Sequence, residues 1–241
     1  MKQHESVKQV MKANGGYATL GFLYVNVDIT GWKTNTPFAS IRRIVQDDRF
    51  FFKIRPGLWA LKEYEKDVLD KFNITKKSAK ESVEEFNHSY YQGLLIEIGN
   101  LEGYETFIPS QDKNKKYLNK PLYELTSIKE FYPFTYPEVM RRAITIDVSW
   151  FNERKYPASF FEIEHTTDFN NSLLKFMELQ DFSVKFNIVA DKSRETKFIN
   201  KISSSTFFPI VKKVKFIDYN SLAILHAKIS ELTAIKTQIK I

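Results

Sequence analysis

The 241-residue sequence predicts an α/β protein in two parts: a small helical module closed by a β-hairpin, then a larger α/β core on a central mixed sheet. Three observations predict it. Short segments with apolar residues at helical spacing fill the first 45 positions and lead into a Pro-Gly turn between two short apolar runs. Strictly alternating segments appear later, at 144–150, 159–165 and 182–188. Helical stripes separate these segments, as in a layered α/β fold.

The elements follow in chain order. Residues 5–13 carry Val7, Val10 and Met11 at helical spacing, and Asn14-Gly15-Gly16 stops that helix. Residues 19–27 form a second helix through Leu20, Leu23 and Val27, and 31–35 form a loop. Thr36-Pro37 is an N-cap followed by a first-turn proline, opening a third helix with Phe38, Ile41, Ile44 and Val45 inside. Residues 50–54 and 58–61 are strands around the turn Arg55-Pro56-Gly57. Three short helices and a hairpin are in winged helix-turn-helix order. The third helix would offer Ser40, Arg42 and Arg43 to a DNA groove, its approach Lys33, Thr34 and Asn35, and the wing Lys53 and Arg55.

Charge points the same way. The net charge is +7 and the pI about 9.2. Residues 1–80 hold 15 Lys/Arg against 8 Asp/Glu, which leaves 21 of each in the remainder. A basic module on a neutral core suits a polyanion such as double-stranded DNA, through Lys/Arg and backbone contacts to phosphate. The segments 15-GGYAT-19, 36-TPFAS-40, 48-DRF-50 and 57-GLWAL-61 resemble the HARE-HTH family of winged helices. Its members occur fused to chromatin proteins, RNA polymerase subunits and restriction endonucleases, so the resemblance implies DNA binding. A winged helix used for protein contacts is the other use of this fold.

Residues 63–88 read as a helical connector, rich in charge and broken at Asn73 and Thr75, between a module at 1–62 and a core at 89–241. Leu94, Leu95, Ile98 and Leu101 make an apolar helical stripe, and 104–109 a strand. Residues 110–137 form a loop-rich insert with three of the eight prolines. After the alternating segments at 144–150 and 159–165, Asp168 caps a helix through Leu173, Leu174, Phe176, Met177 and Leu179. A strand at 182–188, a short helix at 194–201, a strand at 214–217 and a helix at 221–235 complete the core.

The polar turn 152–157 makes the two acid-bearing segments an antiparallel hairpin. Symmetry about its midpoint, between Arg154 and Lys155, sets Asp147 opposite Glu162, with Cβ atoms roughly 5 Å apart. Glu164 shares the face of Glu162. Like charges this close repel, unless a hard divalent cation such as Mg²⁺ holds them. Glu97 lies inside the stripe, three residues after Leu94 and four before Leu101. It either reaches water at the stripe's edge or is aimed by its helix at the same metal.

Ile146-Asp147-Val148, then 161-FEIEHTT-167, then 173-LLKF-176, with an upstream helix bearing Glu97, resemble the PD-(D/E)XK restriction-endonuclease superfamily. The resemblance covers about residues 90–215 and implies a restriction-endonuclease-like α/β core with a central mixed sheet. It implies that Asp147 and Glu162 bind Mg²⁺ with Glu97 as the helix acid, and that DNA is cut to 5′-phosphate ends. The usual lysine falls at Glu164. The base is then Glu164 itself, a metal-bound water, or a lysine such as Lys192 or Lys197. Strand parity turns His165 toward the Ile163 face, at the core edge.

Other classes lack support. The chain has no cysteine, which excludes disulfides, a thiol nucleophile and Cys-ligated metals. His4, His88 and His226 are scattered without zinc spacing, and no nucleophile elbow, P-loop or dinucleotide fingerprint is present. No apolar run is long enough to span a membrane, and a reducing cytoplasmic setting is expected. The sequence therefore predicts a Mg²⁺-dependent, site-specific double-stranded DNA endonuclease of type II. A homodimer would cut both strands, and a companion DNA methyltransferase would protect the host. The alternative is a non-catalytic DNA-binding regulator with a degenerate nuclease-like domain.

Overall fold

A computed structural model describes residues 2–239. The chain divides into two compact units, Met1–Val83 with Ala223–Ile241, and Glu84–Leu222. The first unit begins with α1 (Gln3–Ala13), β1 (Tyr17–Thr19), α2 (Leu20–Asn26) and α3 (Pro37–Ile44). The hairpin β2 (Phe51–Arg55) and β3 (Leu58–Leu61) and the helix α4 (Glu65–Lys71) follow. Thr19 caps α2, its hydroxyl accepting from the Phe22 N–H at 3.1 Å. Thr36 precedes α3 without a side-chain cap. The core gathers Val7, Met11, Leu23, Phe38, Ile41, Val45 and Phe51, with Ala227 and Ala234 of the C-terminal helix. The sheet order is β1-β3-β2, antiparallel throughout. Strand β1 is absent from the sequence reading, because three residues are too short to show a period. Gly16 makes it reachable. Its φ is +90°, and a Cβ there would sit 2.4 Å from the Tyr64 ring.

The second unit opens with α5 (Lys80–Leu101), β4 (Glu105–Phe107), the small hairpin β5 (Lys116–Tyr117) and β6 (Lys120–Pro121), α6 (Leu122–Leu125) and α7 (Pro137–Ala143). Then come β7 (Val148–Phe151), β8 (Pro157–Glu164), α8 (Asn170–Glu178), β9 (Lys185–Ala190), α9 (Glu195–Ile202), β10 (Val214–Asp218) and α10 (Tyr219–Ile239), which from Ala223 onward belongs to the first unit. The sheet order is β10-β9-β8-β7-β4. Strands β10, β9 and β8 are parallel, while β8, β7 and β4 are antiparallel, so the sheet is mixed as expected.

The strand expected at 144–150 starts only at Val148, because α7 ends at Ala143 and Ile144 to Asp147 complete its exit turn. Alternation along β7 does not separate core from solvent, since Ser149 and Phe151 are as buried as Val148. A strand covered on both faces buries both parities. The hairpin register does follow the loop symmetry: Val148 faces Phe161, Ser149 faces Phe160 and Trp150 faces Ser159. Asn152 shapes the turn by accepting from the Arg154 and Tyr156 N–H groups at 3.0 and 3.1 Å.

Helix α5 covers one face of the sheet, where the Trp150 indole donates to the Leu95 carbonyl at 3.1 Å and packs on Phe161. Gly99 permits that approach, because a Cβ would lie 2.6 Å from the Thr106 methyl. The other face buries Phe160, Phe186 and Ile188 against Phe169, Leu173 and Phe176 of the α8 region and Phe198 of α9. Among the described residues no helix is long and apolar enough to cross a membrane.

Candidate active site

Glu162 and Glu164 end the central strand β8, on the face that α8 covers. Both are buried. Asp147 precedes the neighbouring strand β7. Its Oδ2 accepts from the Ile163 N–H at 2.7 Å, and its own N–H reaches Glu162 Oε1 at 3.3 Å. Each acid is thus pinned by the backbone beside the other, one residue beyond the paired hairpin. They line a pocket of about 590 Å³ with His88, Glu164, His165 and Ser172.

Helix α8 supplies the counter-groups. Lys175 Nζ lies 2.8 and 3.0 Å from the two Glu162 oxygens and donates to the Thr145 carbonyl at 2.9 Å. Ser172 Oγ sits 2.9 Å from Glu162 Oε2 and also contacts Glu164 Oε1. Thr167 donates to the other oxygen of Glu164. One hydroxyl proton can be donated to only one of these two carboxyl groups at a time. Burial and then the charge of Asp147 push Glu162 up to about 8, against the opposing pull of Lys175 and Ser172. Asp147 goes the other way. Burial raises it, but the imidazole of His88, the Ile163 amide and Lys175 outweigh that and hold it below the usual carboxylate range. Burial lowers His88, and the hydrogen bond and charge of Asp147 more than reverse this, leaving it above the ordinary imidazole value.

The donor chemistry fits a divalent cation. Half-buried Asp147 raises the carboxyl of buried Glu162 by like-charge repulsion, and a cation between them would relieve that repulsion.

The expected residues separate. Asp147, Glu162 and Glu164 meet. Glu97 does not join them. It lies nine residues beyond His88, about 13.5 Å along α5, and accepts from the Tyr117 hydroxyl at 2.9 Å. The acids that α5 does bring to the pocket are Glu84 and Glu85. Lys192 pairs with Glu195 at 2.6 Å and Lys197 is exposed, and neither lines the pocket. His165 lines it, its Nδ1 2.6 Å from the Tyr219 hydroxyl. Sequence reasoning missed Lys175, Ser172 and His88. For the first two a signal existed: they stand three apart on a helix immediately after the acid-bearing strand.

In the first unit, Lys33, Asn35, Arg43 and Lys53 are exposed. Thr34 Oγ1 accepts from the Thr36 N–H at 3.2 Å. Ser40 is buried and donates to the Thr36 carbonyl at 3.2 Å, so it cannot reach a base. Arg42 is half-buried against the Tyr24 hydroxyl and Glu231, at 3.2 and 3.4 Å. Arg55 turns back on the Ile54 carbonyl at 2.7 Å.

The larger sheet with its acid-lined end belongs to a restriction-endonuclease-like domain, for residues 69–239 match a restriction-enzyme family. That family is described as the type II restriction enzyme NmeDI C-terminal domain, and with well over half of its length matched the chain belongs to it. Searches of curated proteins and of solved structures returned no significant match.

Proposed function

We propose that the protein is a Mg²⁺-dependent type II endonuclease that hydrolyses double-stranded DNA at a specific site, leaving 5′-phosphate ends. The single observation that carries this is the Asp147–Glu162 pair, which lines a pocket in a restriction-enzyme domain and is served by Lys175. Mg²⁺ held by Asp147 and Glu162 would polarise the phosphodiester and make a bound water a stronger acid. The chain's own groups prepare that site. The Ile163 amide and His88 fix the two oxygens of Asp147. Lys175 orients Glu162 and supplies the positive charge that the usual lysine would bring, since Glu164 stands in that position and is occupied by hydroxyl donors.

The first unit serves as the DNA-binding module, a winged helix by its order of three helices and a hairpin. Lys33, Asn35, Arg43 and Lys53 are the groups exposed to contact DNA. Two active sites are needed to cut two strands, so a homodimer is the working form, with a methyltransferase of the same specificity as its companion.

Plasmid DNA incubated with the protein tests this. Discrete fragments in Mg²⁺ that disappear with Asp147→Asn and Glu162→Gln are expected. DNA binding without cleavage in Mg²⁺ or Mn²⁺ would establish the degenerate-domain regulator instead.

A further inference from the structure

His88 on α5, Asp112 in the loop after β4 and Asp147 before β7 converge from three separate elements. Their ligand atoms all lie within 4.8 Å of one another. His88 Nε2 is 3.6 Å from Asp147 Oδ1, the separation of two donors each about 2.1 Å from one ion. Asp112 is almost fully buried. Gln92, one helical turn after His88 on the same face of α5, is completely buried. Its amide ends inside the cluster, with Nε2 2.8 Å from Asp112 Oδ2 and 3.1 Å from the Asp147 carbonyl. Its Oε1 has no hydrogen-bond partner among the described residues. An amide turned by half a rotation would exchange these atoms and aim that carbonyl oxygen at the ion.

We propose that His88, Asp112 and Asp147, with the Gln92 carbonyl, form a cation site that prefers a borderline divalent metal such as Mn²⁺, Co²⁺ or Zn²⁺ to Mg²⁺. An imidazole nitrogen with two carboxylates suits that class, whereas Mg²⁺ favours oxygen and keeps most of its waters. With no metal bound, Lys115 at 2.7 Å from Asp112 Oδ1 and the Gln92 amide keep the buried acid compensated. Metal entry displaces both. The site shares Asp147 with the proposed nuclease centre but does not depend on DNA cleavage, because binding is read without DNA.

The test is titration of the full, metal-free chain with Co²⁺, followed by its visible ligand-field absorption, alongside calorimetry with Mg²⁺. One Co²⁺ per chain is expected, bound at least tenfold more tightly than Mg²⁺. His88→Ala and Asp112→Asn should each weaken it on the order of 10–100-fold, Lys115→Met should strengthen it, and Glu162→Gln should leave it nearly unchanged. Equal affinity for the two ions, or Co²⁺ uptake unaffected by His88→Ala and Asp112→Asn, overturns the site. Should either variant fail to fold, electron spin-echo spectra of the wild-type Mn²⁺ complex decide. Imidazole nitrogen coupling upholds the assignment, and its absence removes it.

Discussion

Glu162 sets the behaviour expected at the scale of single residues. Its folded-state pKa, about 8, lies above that of an unfolded carboxylate, so the folded chain holds the extra proton in between. Stability of the metal-free protein therefore falls as pH rises from about 4.5 to about 8, since the unfolded state binds fewer protons there. Thermal melts across that range should show the decline, and Glu162→Gln should flatten it. A wild-type profile that instead rises through the window contradicts the burial and repulsion assigned to this acid. Lys175 can be separated from a merely structural role by pH. Lys175→Met removes the cation 2.8 Å from Glu162, so metal-dependent cleavage should fall at least about tenfold and its rise with pH should move alkaline. A fall in rate with no alkaline movement would mean that the lysine acts elsewhere.

Helices and strands carry a different kind of prediction. Gly99 lies within α5, where alanine is the better helix former by about 1 kcal/mol. Yet an added Cβ meets Thr106 at 2.6 Å and the Trp150 indole nitrogen at 2.7 Å, and that indole also bonds the Leu95 carbonyl. Gly99→Ala should therefore destabilise by about 1–3 kcal/mol in urea unfolding, the overpacking cost outweighing propensity. Stabilisation would show that α5 does not press on the sheet there. The β7–β8 hairpin was legible because its turn chemistry and alternation fix a register. Val148 to Trp150 pair as the symmetry of the loop requires. The start of β7 was not legible, since Ile144 and Ile146 satisfy a two-residue period while belonging to the exit turn of α7. Short elements such as β1 and the hairpin β5–β6 carry too few residues to show a period at all.

Across the whole chain, the positive excess of the first 80 residues should make the proposed duplex binding salt-dependent. Lys33→Ala, Arg43→Ala and Lys53→Ala should each weaken DNA binding and lower the salt slope by roughly one, measured by fluorescence anisotropy. Ser40→Ala should leave both unchanged, because that hydroxyl is spent on the Thr36 carbonyl. Glu231→Gln tests how far the C-terminal helix restrains Arg42. If the ion pair at 3.4 Å withholds that guanidinium from phosphate, affinity rises. The C-terminal helix joins the core of the first unit through Ala227 and Ala234, a partnership with residues some 200 positions earlier that no local pattern announces.

Local chemistry alone determined most element types, the hairpin register and the convergence of Asp147, Glu162 and Glu164, because each follows from side-chain period and turn residues over a few positions. Tertiary packing decided the rest. It set Lys175 and Ser172 against the acids, carried His88 and Asp112 to Asp147, and left Glu97 with Tyr117 well along α5. It also buried Ser40 and engaged Arg42. Those outcomes depend on which turn of a helix faces which end of a sheet, a long-range distance that residue spacing within one element does not encode.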